Sequence, residues 1–317
     1  MPQVVENFLQ FDFCNEERHF FAFAGILDEI GVMLVDIATA TAETSRQREL
    51  PKTAVTALDL QMDYSLASRF TSACQKARIM TETWARDNLY CVNCESEHLY
   101  PTPTNTQVVD FTCKECSAGF QLKSQSSPIS NRITDSGYEA MCRAIRLNQY
   151  PNLIALHYDR VNWSIQNALL IPSFGFSLAA VEKRKPLAPT ARRAGWVGCN
   201  ILLTNIPSDL RLSLVTNSKA IEATTVRKQY QGMSKLKSLD VASRGWLIDV
   251  LNTARSLNRQ EFHLHELYSR DQHLSALHPQ NLHVRPKIRQ QLQRLRDLGL
   301  LSFVGNGIYR WNTPRIN

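Results

Sequence analysis

The stretch Gln107-Val108-Val109-Asp110-Phe111-Thr112-Cys113-Lys114-Glu115-Cys116-Ser117-Ala118-Gly119-Phe120-Gln121-Leu122-Lys123 decides how the chain is read. Two short apolar runs flank a Cys-x2-Cys knuckle, which is the pattern of a hairpin whose turn is the knuckle. A second pair, Cys91-Val92-Asn93-Cys94, lies upstream, with 18 residues (Glu95 to Thr112) between the two pairs. That spacing lets Cys91, Cys94, Cys113 and Cys116 close a tetrahedral zinc site with every position filled by protein, the form of a structural site. Asp110 precedes the knuckle and Gln121-Leu122-Lys123 follows it. An acid on one strand and (Asp/Glu/Gln)-x-Lys on the next is how many metal-dependent nucleases hold a divalent ion beside a phosphate. Taken alone, an Asp and a Lys at this spacing are more often surface residues; the basic runs further along tip the balance towards catalysis.

Working outward, 317 residues allow two domains with a sizeable core. The net charge of +7 is uneven: residues 1–60 hold 10 acids and 4 bases, net −6, which leaves +13 on the remainder and fits a polyanionic partner. The other four cysteines, Cys14, Cys74, Cys142 and Cys199, have no pair spacing. The chain opens without a secretory signal, so the expectation is a reducing, bacterial cytoplasmic setting in which thiols bind metal. The apolar run Phe20 to Ala40 contains Asp28, Glu29 and Asp36 and is too charged to span a bilayer. Residues 1–60 are read as an extension of unknown role, with one or two packed helices and a polar linker from Thr39 to Thr56.

Residues 62–90 are predicted helical, with Leu66, Phe70, Ala73, Ala77 and Met80 on one side. Glu82 and Asp87 near its end are candidate helper acids for the metal, although an exposed helix-end acid is the commoner fate. Gly137 to Leu147 reads as a helix. Leu153 to His157, Ala168 to Ile171, Ile201 to Thr204 and Leu212 to Val215 read as strands. Between them runs a loop with five cations at positions 183–193, among them Lys185, Arg192 and Arg193, ending in Trp196. Cations bind phosphates and a flat ring stacks on a base, so this loop is read as nucleic-acid binding over a solvated basic loop with a core tryptophan. Residues 240–312 read as a winged helix-turn-helix, with helices at 240–251, 264–268 and 285–298 and a hairpin wing turning at Gly305-Asn306-Gly307. Arg285, Arg289, Gln290 and Gln293 are the best-placed readers, since Arg suits guanine and Gln adenine in the major groove.

These residues resemble the DpnI family of methylation-dependent restriction endonucleases from about Leu58 to Trp311. The most specific stretches are Gln75-Lys76-Ala77-Arg78-Ile79, the two knuckles, Lys185 to Asn200, Ser243-Arg244-Gly245-Trp246 and Lys287 to Gln293. The resemblance implies an α/β PD-(D/E)xK nuclease domain with an embedded four-cysteine zinc site (61–237), then a C-terminal winged helix-turn-helix DNA-binding domain (238–317). It implies cleavage of duplex DNA at GATC when the adenine carries an N6-methyl group. The family's metal positions carry over to Asp110 and Gln121, its lysine to Lys123, and its base-proximal tryptophan to Trp196. Catalytic Mg2+ is then expected on Asp110, the Gln121 side-chain oxygen and the Leu122 carbonyl, with Zn2+ structural and the protein monomeric. One position departs: the family has glutamate where this chain has Gln121. The alternatives are therefore a methyl-GATC binding protein that has lost cleavage, and an RNA-binding or zinc-ribbon transcription factor, which leaves Asp110 and Gln-x-Lys unexplained.

Overall fold

Strand β5 (Asn152–Asp159) is apolar almost throughout and buried on both faces, the composition of a central strand. The computed structural model that places it describes residues 58–103, 106 and 108–312. The expected helices and linker before residue 58 lie outside these. In chain order the first domain runs α1 (Ala73–Asn88), β1 (Tyr100–Pro101), β2 (Phe111–Thr112), β3 (Gly119–Gln125), β4 (Arg132–Gly137) and α2 (Tyr138–Arg146). It continues with β5, β6 (Ser164–Ile171), β7 (Val181–Lys183), β8 (Gly198–Leu202), β9 (Leu212–Thr216), β10 (Lys219–Ala220) and α3 (Ala223–Met233).

A seven-stranded mixed sheet has the order β1-β2-β3-β5-β6-β9-β10. Only β3 and β5 run parallel, so the chain between them must cross over, and it does so through β4 and α2. Strand β4 leaves the main sheet to form a smaller antiparallel sheet, β4-β8-β7. The turn between β2 and β3 is the second cysteine knuckle, as the spacing predicts. The third expected strand, Ile201 to Thr204, instead starts at Gly198 and stops at Leu202.

The helix expected over 62–90 is shorter. The Met62 amide donates to the Trp163 carbonyl, and the Asp63 carboxylate takes the Ser65 amide at 2.9 Å to cap a single 3-10 turn at Tyr64–Ala67. These bonds commit the leading residues elsewhere, and α1 begins only after Ser72. Its buried residues, Ala77, Met80, Thr81, Trp84 and Ala85, then follow the helical period.

The C-terminal part holds α4 (Val241–Ser256), β11 (Glu261–His263), α5 (Leu264–Tyr268), α6 (Asp271–Leu277), α7 (Val284–Asp297), β12 (Leu301–Gly305) and β13 (Ile308–Trp311). Asp240 caps α4 by accepting the Ser243 amide at 2.8 Å. Leu247, Ile248, Val250, Leu251 and Ala254 are fully buried, so α4 is covered around much of its girth. One side meets the first domain: Ser177 Oγ donates to Asp249 Oδ1 at 2.8 Å, Arg255 Nε to Asp209 Oδ2 at 2.8 Å and Arg244 Nη2 to Asn148 Oδ1 at 2.7 Å. The same helix also meets its own domain: His278 stacks on Trp246 at 3.9 Å, and the Arg255 guanidinium lies 3.6 Å from the Trp311 ring. This shared helix seats the helix-turn-helix on the cysteine-bearing domain.

Helix α7 buries Ile288, Gln291, Leu292 and Leu295 and presents Arg285, Arg289, Gln290, Gln293 and Arg296 outward. The wing turns through Gly305, Asn306 and Gly307, all at positive φ (115°, 48° and 77°), which glycine and asparagine tolerate. Helix α6 and strand β11, which pairs with β13, are additions that the sequence pattern does not announce.

Candidate active site

The four knuckle thiols converge. Cys91 and Cys116 Sγ are 3.6 Å apart, Cys94 and Cys113 Sγ 3.5 Å, and all four lie within 4.8 Å of one another. A tetrahedral site with Zn–S bonds of about 2.3 Å has S···S edges of about 3.8 Å, so this cluster can hold a metal ion of that kind. Burial opposes ionisation of Cys113, yet the amides of Cys116 and Glu115 draw its thiol down to about 7; burial pushes the Cys91 thiol up. The cluster is tied to α3. The buried Arg227 donates to the Cys91 carbonyl at 3.0 Å and to the Ser96 carbonyl at 2.9 Å, and Lys237 donates to Asn93 Oδ1. The two cations stand where a four-thiolate metal site, which carries excess negative charge, would need them.

Asp110 lies immediately before β2. Its amide donates to the Phe120 carbonyl at 2.8 Å, and its Oδ2 accepts the Leu122 amide at 2.8 Å. The carboxylate is thereby pinned against β3. Gln121 and Lys123 are two residues apart on β3 and share a face, with Leu122 on the other. The hairpin thus brings Asp110, Gln121, Leu122 and Lys123 together. These are oxygen donors beside an ammonium, a set that suits a hard divalent cation.

Two residues that sequence reasoning missed complete the cluster. Asp135, on β4, has no side-chain exposure and lies with Oδ1 2.6 Å from Lys123 Nζ and 3.2 Å from the donor Gln121 Nε2. Tyr150, just before β5, places its hydroxyl 2.9 Å from Gln121 Oε1 and 2.8 Å from Asp135 Oδ2, two acceptors for its single proton. Burial raises the Asp135 pKa, but Lys123 and the hydrogen bonds from Lys123, Tyr150 and the Ser136 amide outweigh it and hold the carboxyl below its usual range. Burial, then Asp135, pushes the Tyr150 phenol well above 10. A carbonyl oxygen has two lone pairs, so Tyr150 leaves Gln121 Oε1 one for a cation. The sequence does carry a signal for Asp135: in Arg132-Ile133-Thr134-Asp135 it takes the buried position of an alternating strand, beside Ile133. Tyr150 carries none. The helper acids considered on α1 each pair with an arginine of the same helix, Glu82 with Arg78 at 3.0 Å and Asp87 with Arg86 at 2.7 Å.

The basic loop folds on itself, with the Leu187 amide donating to the Trp196 carbonyl and the Gly195 amide to the Leu187 carbonyl. Trp196 is half-buried rather than exposed. Its ring lies across Gly198 and beside Gly137, where a Cβ built on Gly198 would come within 2.8 Å of it. Arg193 covers the ring at 4.4 Å, while Lys185 and Arg192 are exposed. On α7, Arg285 pairs with Asp271 at 2.9 Å, Arg289 donates to the Tyr268 hydroxyl at 2.9 Å, Gln290 Oε1 accepts from Gln291 and Gln293 donates to Asp297. Apart from the part-buried Gln290–Gln291 contact, these are exposed pairs, which exchange at little cost for contacts to nucleic acid.

Among the described residues no helix is long and apolar enough to cross a membrane. A family model for the Dam-replacing HTH domain (DpnI_C) matches residues 242–311, which contain α4 to β13 and support DNA binding. A second model, DpnI: Dam-replacing family, matches residues 58–239, more than half of the chain and the whole of the cluster around Lys123. On the strength of that match the chain belongs to the DpnI, Dam-replacing family.

Proposed function

We propose that the protein is a methylation-dependent restriction endonuclease of PD-(D/E)xK type, acting by Mg2+-dependent hydrolysis on duplex DNA at GATC carrying N6-methyladenine. The observation that carries this reading is the convergence of Asp110, Gln121 and Lys123 on one hairpin, within a chain of that family. Asp110, the Gln121 side-chain oxygen and the Leu122 carbonyl would hold Mg2+, which when bound supplies Lewis-acid chemistry at the scissile phosphate. Lys123 orients the attacking water and offsets the charge that grows on the phosphate oxygens in the transition state. Leu122 does double duty, since its amide fixes the Asp110 carboxylate. Zn2+ on the four cysteines is structural and holds the hairpin in shape.

Recognition of the methyl group has an energetic limit, because one methyl in an apolar pocket discriminates by only about 1–3 kcal/mol. Two marks per GATC site and two reading elements, Trp196 and α7, multiply that signal. Trp196→Ala is expected to weaken binding of the methylated duplex by about tenfold or more, as loss of one base–aromatic stack would. Arg289→Ala and Gln293→Ala on α7 are expected to weaken binding as well. The arginine variant alone should flatten the salt dependence of affinity if Arg289 meets a phosphate, by about one unit of slope. Both effects are read by titrating labelled duplex at several salt concentrations. The full chain is the right object for these titrations, because α4 is anchored in both domains.

A second reading is favoured by one feature, the amide at position 121: a methyl-GATC binding protein without cleavage. Short synthetic duplexes, fully methylated or unmethylated, incubated with Mg2+ separate the two. Cleavage of the methylated duplex supports the nuclease. Retention of that duplex without cleavage leaves the binding protein.

A further inference from the structure

Around Gln121 and Lys123 the buried carboxylate comes from a different sheet. Asp135 lies on β4 of the three-stranded sheet, and the β4–β8 pairing slips between Asp135 and Gly137. Such bulges re-aim a side chain and are frequent beside active sites. Here the slip accompanies a carboxylate with no exposure that contacts both Lys123 and Gln121.

We infer that Asp135 is a positioning residue for Lys123 and Gln121, and that it supplies the negative charge that a glutamate at position 121 would have brought; this rests on the nuclease reading above.

The amide at position 121 needs orienting. A glutamate presents an oxygen to a cation whichever way it turns, whereas a glutamine presents oxygen in one orientation and a repelling NH2 in the other. An ionised carboxylate can only accept hydrogen bonds. Asp135 Oδ1 therefore claims Gln121 Nε2, which turns Oε1 the other way, towards the Tyr150 hydroxyl at 2.9 Å. The Asp135 contact fixes which end of Gln121 is offered as ligand. The Lys123 side chain is only 12% exposed, and a buried ammonium without a partner is strongly disfavoured. Asp135 holds Nζ at 2.6 Å on the face of β3 that carries Gln121. The site thus keeps two carboxylates, Asp110 and Asp135, one acting directly on the cation and one through its neighbours.

The experiment compares wild type, Asp135→Asn, Gln121→Glu and the double variant. Cleavage of methylated duplex is measured across Mg2+ concentrations. Ca2+ binding is followed by calorimetry, metal-free duplex binding by gel shift and thermal unfolding by fluorescence. Asp135→Asn is expected to lower kcat and Ca2+ affinity by about 10–100-fold, as loss of a group that orients metal ligands does. The unfolding midpoint should fall, because Lys123 loses its charged partner, while metal-free duplex affinity stays near wild type. Gln121→Glu should restore Ca2+ affinity and cleavage to the Asp135→Asn background, because it returns the missing charge. Wild-type cleavage and Ca2+ binding in Asp135→Asn would overturn the inference. So would losses of kcat, unfolding midpoint and duplex affinity that move together and are not rescued by Gln121→Glu. If wild type binds Ca2+ without cutting and Asp135→Asn weakens that binding, the nuclease reading fails and the positioning role stands. If wild type neither cuts nor binds Ca2+, both fall.

Discussion

Lys123→Ala is expected to abolish cleavage of methylated duplex, by on the order of 10²–10³-fold or more in kcat, while the duplex is still bound. The lysine sits on β3 beside Gln121 with little exposure, and Asp135 fixes its ammonium at 2.6 Å. No other Lys or Arg is paired with that carboxylate among the described residues, so nothing nearby replaces the lost charge. The alanine leaves the Asp135 carboxylate buried and unpaired, which also costs stability. Lys123→Arg keeps the charge and separates the two effects: it should restore the unfolding midpoint and recover little activity, because a planar guanidinium is not a substitute for a compact ammonium at a packed site. Single-turnover cleavage and a gel shift in Ca2+ check both variants. Full activity in Lys123→Ala would remove Lys123 from the site.

The second large effect concerns the cysteine cluster. Cys113→Ser, or removal of metal by a strong chelator, is expected to unfold the cysteine-bearing domain outright. The cluster joins three pieces that are far apart in sequence: the 91–96 loop, the β2–β3 hairpin and, through Arg227, helix α3. Structural zinc contributes about 10–16 kcal/mol in small zinc-binding peptides, which matches or exceeds the whole stability of an ordinary domain, about 5–15 kcal/mol. Without metal, Arg227 and Lys237 lose the four-thiolate site that they face. Differential scanning calorimetry should lose its cooperative transition on chelation, and zinc analysis should return one ion per chain. A chain that melts unchanged with no bound zinc would show the cluster to be a packing feature only. Since Asp110, Gln121 and Lys123 ride on the same hairpin, activity should vanish with the metal.

Short-range pattern makes much of this legible. The two Cys-x2-Cys pairs and the Asp110/Gln-x-Lys spacing define the hairpin without any knowledge of its surroundings. Asp240, the apolar period of α4 and α7, and the Gly305-Asn306-Gly307 turn do the same for the helix-turn-helix. What sequence hides depends on tertiary placement. Asp135 and Tyr150 reach Gln121 only because β3 pairs with β5 in parallel and β4 crosses to another sheet in between. Arg227 meets the Cys91 carbonyl across 136 positions, from a helix, α3, that no local motif announces. The helix expected from residue 62 yields to bonds with the β5–β6 turn, which no local propensity encodes. Trp196 reads as exposed because its loop is rich in Pro, Gly and Arg; the bare faces of Gly137 and Gly198 are what let it settle inward.

The most direct test of the central claim is a plasmid digest with Mg2+, using template from a host that methylates adenine in GATC and template from one that does not. The account expects fragmentation of the methylated plasmid alone, into pieces that match its GATC sites, which would also establish Gln121 as a working ligand. Equal cutting of both plasmids, or cutting of neither, would contradict it.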